Sequence, residues 1–188
     1  MLGHGAGGGT DAPDLRAARD AAVGLGLQVV LVEQPWRVTG RRIAEAPPRL
    51  DAAWLAVVAA LPPADGPLLL GGRSAGARVA CRTAADLGAD GVLALAFPLR
   101  TPHRPDRDRG DELRRPSCPR LVVQGERDAF GVPEPSTGVE VHVVAGADHG
   151  FAVRRRDGRT AADVREEVER VVRAWLARTT GAAAQTLT

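Results

Sequence analysis

Five short runs rich in Val, Leu and Ala, at 28–33, 67–72, 91–97, 120–124 and 139–145, alternate with stretches whose apolar residues recur at helical spacing. Near-continuous apolar strands belong in a sheet covered on both faces, and strand–helix alternation is the chain order of parallel sheets. The sequence therefore predicts an α/β fold, a three-layer α/β/α sandwich with a mostly parallel sheet. Leu50, Trp54, Val57 and Leu61 mark one helix, and Val164, Val168, Val171 and Trp175 another, capped by Thr160 with Asp163. An earlier helix is expected to start near Thr10 or Asp11, with Pro13 in its first turn. A chain of 188 residues suits one domain, here 1–178, with 179–188 (TTGAAAQTLT) as a disordered tail.

One pentapeptide carries chemistry. Gly72-Arg73-Ser74-Ala75-Gly76 matches G-x-S-x-G, directly after the apolar Leu68-Leu69-Leu70 and before a helical run at 75–87. That is the setting of a nucleophile elbow, in which a sharp strand-to-helix turn lifts a Ser hydroxyl above the sheet edge. Gly72, Arg73 and Gly76 form the elbow around Ser74. A hydroxyl needs a base at neutral pH, and the base needs a carboxylate to orient it. In one chain order of such triads the acid follows the Ser and the His comes last. Asp128 follows the strand at 120–124 and His149 follows the strand at 139–145, so all three fall on one edge of the sheet. His142 lies inside a strand, His103 in an irregular excursion and His4 at the amino end. Asp148 adjoins His149 and is poorly placed for its far ring nitrogen; Glu126 is the substitute for Asp128.

Gly3-His4-Gly5-Ala6-Gly7-Gly8-Gly9 supplies a glycine-lined turn whose backbone N–H groups can meet a developing oxyanion. Each such donor is worth about 3 kcal/mol in the transition state. The expected donors are Ala6, with Gly7 in reserve, and Ala75. The segment 98–119, rich in Pro and Arg, stands where a crossover helix is expected and reads as an irregular loop over the sheet's C-terminal edge. Trp36, Phe130 and Phe151 follow strand ends and are candidates to line an acyl pocket, while Arg73, Arg100 and Arg104 are candidates to attract an anionic substrate.

Composition excludes several classes. The 25 basic residues are all Arg, interleaved with 23 acidic ones, so the basic pI builds no binding stripe for nucleic acid. No apolar stretch approaches the roughly 20 residues that span a bilayer, and the amino end has no secretory h-region. Cys81 and Cys118 read as free thiols in the cytoplasm. Neither a metal nor an organic cofactor is expected, and the partner is a small-molecule substrate; the oligomeric state is not legible.

Taken together, GHGAGGG, GGRSAGAR, FPL, VQGERDAFG and ADHGF resemble the α/β-hydrolase-fold family that includes testis-expressed protein 30 and NSL-complex subunit 3, from Gly3 to about Arg178. The resemblance implies an α/β-hydrolase fold without a helical cap, similarity to dienelactone hydrolases, and Ser74, Asp128 and His149 as nucleophile, acid and base. The implied activity is that of a serine hydrolase on a small carboxylic ester, thioester or lactone. In this fold the strand feeding the His-Gly turn is internal, and only Met1 and Leu2 remain of it, so the expectation is a chain that lacks its N-terminal strands. Two rival readings stand beside the hydrolase. The family also includes a subunit of a chromatin complex, so a non-catalytic interaction protein is one. Gly3-x-Gly5-x-x-Gly8 with Glu33 at the next strand end also fits a dinucleotide fingerprint.

Overall fold

The computed structural model describes residues 1–41, 44–102, 106 and 108–182. Six strands, β1 (Leu2–Gly3), β2 (Leu31–Val32), β3 (Leu69–Arg73), β4 (Gly91–Leu95), β5 (Arg120–Gly125) and β6 (Val139–Val144), form one all-parallel sheet in the order β2-β1-β3-β4-β5-β6. The expected run at 28–33 pairs only at Leu31 and Val32, opposite Leu2 and Gly3. The ladder continues below it through Leu2 N–H to Val30 O, Gly71 N–H to Met1 O and the Met1 ammonium to Leu69 O.

Successive side chains of a strand point to opposite faces, and this alternation builds two cores. On one face Leu93, Leu95, Leu121 and Val123 meet α1 (Pro13–Val23) and α6 (Ala161–Thr180). On the other, Leu70, Val92, Ala94 and Val122 meet α3 (Pro47–Ala60) and α4 (Ala75–Thr83), with Trp36 from the short α2 (Pro35–Val38). The result is a three-layer sandwich, and among the described residues no helical cap covers the sheet's C-terminal edge. Among the described residues no helix is long and apolar enough to cross a membrane.

Several local expectations need correction. The helix α1 is preceded by Ala12, with no side-chain cap from Thr10 or Asp11, although Pro13 does open it. α4 ends at Thr83 rather than 87, the chain turning through 84–88 to a left-handed Gly88. α6 buries Val172 rather than Val171 and extends through Thr179 and Thr180 to a left-handed Gly181, so those two threonines are helix rather than tail; 183–188 lie outside the described residues. Its Thr160–Asp163 capping box is formed.

The described part of 98–119 is anchored more firmly than an irregular loop. It contains α5 (Gly110–Arg114), whose Glu112 takes both Nε and Nη2 of Arg78 at 2.8 and 2.6 Å and Nη1 of Arg82 at 3.0 Å. Arg82 in turn grips Asp51 of α3. Burial would raise the Glu112 carboxyl, but Arg78 and Arg82 outweigh it and hold the group below the usual carboxylate range. A depressed folded value stabilises the chain above the unfolded value of about 4.3, and that contribution disappears as pH falls through the folded value. Glu112→Gln should therefore be less stable than the wild type at pH 7, and the gap in melting temperature should narrow as pH falls below about 4. Equal gaps at both pH values would show that the cluster is not the source.

Candidate active site

The elbow is shaped by the close approach of β1. A methyl on Gly72 would strike Gly3 O and sit 2.9 Å from Gly76 C, and a methyl on Gly76 would strike Gly3 O. Between them Ser74 is held at φ 51° and ψ −106°, a backbone region that costs about 1–3 kcal/mol and persists only when its surroundings enforce it. Its N–H is donated to Leu95 O at 2.9 Å, which ties the turn to β4. The hydroxyl therefore stands partly exposed at the sheet edge.

His149 Nε2 lies 3.1 Å from Ser74 Oγ, and His149 Nδ1 lies 2.8 Å from Asp128 Oδ2. The three expected residues come together in one hydrogen-bonded order. Asp128 is buried and His149 retains 24% side-chain exposure, so the carboxylate is shielded while the imidazole faces the edge. With Nδ1–H donated to the carboxylate, Nε2 is free to accept the Ser74 proton. Glu126 instead accepts Gly146 N–H at 2.7 Å, and Asp148 accepts the N–H groups of Gly150 and Ala152 within its own loop.

Two buried residues that the sequence reading misses hold this order in place. Gln124, at the end of β5, donates Nε2–H to Asp128 Oδ2 at 2.7 Å and lies within bonding distance of Phe97 O and Gly131 O. The other carboxylate oxygen, Oδ1, accepts Phe130 N–H at 2.8 Å. Gln34 anchors the glycine turn, donating its N–H to His4 Nε2 at 2.9 Å, while His4 Nδ1 lies 2.8 Å from Gly5 O. That pattern assigns the Nδ1–H tautomer. Glu33 lies 3.2 Å from the same Nε2, but a nitrogen that accepts Gln34 N–H presents no proton to it, so the contact is not an ion pair. Gly5 O also accepts Gly8 N–H at 3.4 Å, leaving Ala6 and Gly7 at an exposed turn. Among the described residues, neither Ala6 N–H nor Ala75 N–H is donated to a protein acceptor.

The lining residues divide. Phe130 is half-buried and tilted against the His149 ring, centroids 4.4 Å apart, so it walls the site. Trp36 has 0% exposure and packs edge-on to His4 at 5.3 Å; it is core, supporting the glycine turn from behind. Phe151 is also core, packed with Val144 and Ala147. Arg73, expected to attract an anionic substrate, is engaged within the protein, with Nε 3.2 Å from buried Asp14 and Nη2 donated to His149 O at 3.0 Å. Arg100 is exposed beside Asp108, and His103 and Arg104 fall outside the described residues. His142 pairs with Glu167 of α6 at 2.7 Å, remote from Ser74 in the fold. The helix after the glycine turn begins only at Pro13, which removes its N-terminus from the position a dinucleotide pyrophosphate would need. Among the described residues no three His, Cys, Asp or Glu side chains are grouped to hold a metal ion.

A family model for an alpha/beta hydrolase domain matches residues 1–177. The chain belongs to that family. No curated protein sequence matches it. In fold, it is similar to Est1E from Butyrivibrio proteoclasticus, with 14% identity and a TM-score of 0.70 over 96% of this chain and 87% of that one. It is similar too to an α/β serine hydrolase homologue from Coxiella burnetii, with 20% identity and a TM-score of 0.65 over 94% and 85%. A lidless α/β serine hydrolase from Xanthomonas campestris shares 22% identity, with a TM-score of 0.58 over 93% and 82%.

Proposed function

We propose that the protein is a serine hydrolase that transfers the acyl group of a small carboxylic ester, thioester or lactone to water. The observation that carries this reading is the order Ser74 Oγ, His149, Asp128, at 3.1 and 2.8 Å, on a partly exposed edge. In this reading Ser74 Oγ attacks the carbonyl carbon while His149 Nε2 takes its proton, and Asp128 stabilises the imidazolium. The Ala6 and Ala75 N–H groups receive the oxyanion, with Gly7 N–H as the alternative to Ala6. His149 returns the proton to the departing oxygen or sulfur as the acyl–Ser74 ester forms. Water then attacks that ester, His149 takes the water's proton, and Ser74 is regenerated as the acid leaves. The reaction needs no cofactor or metal.

The absence of a cap among the described residues and the wall formed by Phe130 favour small substrates. The motif set from GHGAGGG to ADHGF supports a finer placement beside testis-expressed protein 30 and NSL-complex subunit 3. The two free cysteines favour the cytoplasm as its compartment. A fluorophosphonate probe tests the reading. The folded protein should gain one adduct by intact mass, mapping to Ser74, and Ser74→Ala should gain none. A folded wild-type chain that stays unmodified would overturn the proposal.

A further inference from the structure

Arg73 immediately precedes the candidate nucleophile, yet its guanidinium serves the protein rather than the open edge. Nη2 donates to the main-chain carbonyl of His149 at 3.0 Å, and Nε stands 3.2 Å from Asp14 Oδ2. Its Nη1 flanks the glycine turn, where a methyl on Gly8 would lie 3.7 Å away. One cation thus bridges the loop that carries the base and the first turn of α1, with the glycine turn alongside. The Arg73 side chain is 16% exposed and that of Asp14 6%. Their contact lacks the alignment of a hydrogen bond, so it is chiefly electrostatic.

We propose that Arg73 and Asp14 form a charge-balanced clamp in which Arg73 is a positioning residue for His149, and Asp14 acts through Arg73 to cancel its field at the imidazole. The inference rests on the serine-hydrolase reading and names what sets its base. A buried charge that loses its partner is strongly destabilising, so removing either member alone is costly. Burial pushes the Asp14 carboxyl up, opposed by Arg73, by the N–H groups of Asp14 and Leu15, and by His149 itself. Alone, the guanidinium would place an uncompensated positive charge against the His149 loop; the Asp14 carboxylate balances it.

The remaining charges around His149 are accounted for. Asp128 bonds Nδ1 from the β5–β6 loop, and Asp148 is bound within the His149 loop. Arg127 spans to Gly146 O and Ala152 O, and Glu126 holds Gly146 N–H. None of these contacts involves Arg73 or Asp14.

The test follows the rate of fluorophosphonate labelling at Ser74 in the full chain between about pH 5 and 9, where an imidazole base titrates. The wild-type rate should rise along one limb to a plateau. Arg73→Met should lower the plateau about tenfold or more, since small misplacement of a reacting group is costly. Asp14→Asn leaves the cation uncompensated and should move the limb about half a pH unit to lower pH. The double variant should return the limb to its wild-type position while the plateau stays low. Arg73→Lys keeps the charge but cannot bridge both partners; it should lower the plateau with the limb unmoved, and it serves if Arg73→Met fails to fold. An unmoved limb in folded Asp14→Asn, or a wild-type plateau in folded Arg73→Met or Arg73→Lys, would overturn the clamp alone. A wild type that takes no probe at Ser74 overturns the hydrolase reading and the clamp with it.

Discussion

Asp128→Asn should lower the labelling rate of Ser74 by about 10⁴-fold while the chain stays folded. The size of the loss follows from how the carboxylate is surrounded. Oδ1 accepts Phe130 N–H, and Oδ2 accepts from both His149 and Gln124. An amide offers only one acceptor oxygen. The backbone N–H of Phe130 cannot rotate away, so the amide oxygen must face it, and the new NH₂ group then meets the ring nitrogen and another amide NH₂. His149 escapes the donor–donor conflict by moving its proton to Nε2, which can then no longer accept from Ser74 Oγ. The labelling rate together with circular dichroism checks this. A folded Asp128→Asn that labels within tenfold of wild type would mean that Asp128 does not set the tautomer, and Glu126 would become the next candidate.

The parts of this site that can be read from the sequence are those whose position follows from a strand end. Ser74, Asp128 and His149 each come shortly after, or directly after, an apolar run, and parallel strands deliver their C-terminal ends to one edge. Recognising the strands therefore implies the convergence of the three. The same logic misplaces Trp36 and Phe151. They too follow strand ends, but the backbone folds them inward, Phe151 through a left-handed turn at φ 59° and Trp36 through the short helix α2. Gln34, Asp14 and Arg73 act through contacts between segments far apart in the chain, and no periodicity or spacing encodes such contacts. Gln124 meets Asp128 four residues on, but only because the loop after β5 turns back over the strand end. Gln124 alone leaves a trace, as an amide directly after the apolar Leu121-Val122-Val123 in a strand buried throughout, where a polar group must find partners. β2 is shorter than its apolar run because a strand's length is set by its neighbour. Leu31 and Val32 are the residues of that run opposite β1, whereas β3, β4 and β5, with longer neighbours, stay close to their apolar runs.

Packing against β1, and not the tightness of the turn alone, is what requires glycine beside Ser74, and this has a measurable consequence. Gly76 lies in the first turn of α4, where helix propensity alone would favour Ala by about 1 kcal/mol. Yet its methyl would land on the carbonyl of Gly3, in a strand that cannot retreat. A methyl on Gly3 would itself be 2.8 Å from Gln34 Nε2, 2.9 Å from Trp54 and 3.5 Å from Gly76 Cα, so β1, Trp54 and the elbow crowd together on one face. Backbone packed this closely against backbone has no side-chain rotation with which to relieve a clash. Overpacking of this kind costs about 3 kcal/mol or more, which exceeds the propensity gain, so Gly76→Ala should be destabilising. In a chain of this size that corresponds to a melting temperature lowered by roughly 6–12 °C. Gly7, in the open turn, has nothing within 4 Å of where a methyl would stand and no left-handed backbone, so Gly7→Ala should change stability by no more than about 0.5 kcal/mol. Thermal denaturation of the two variants checks both expectations. If Gly76→Ala melted with the wild type, β1 would not be pressed against the elbow, and the geometry that holds Ser74 at φ 51° would need another source.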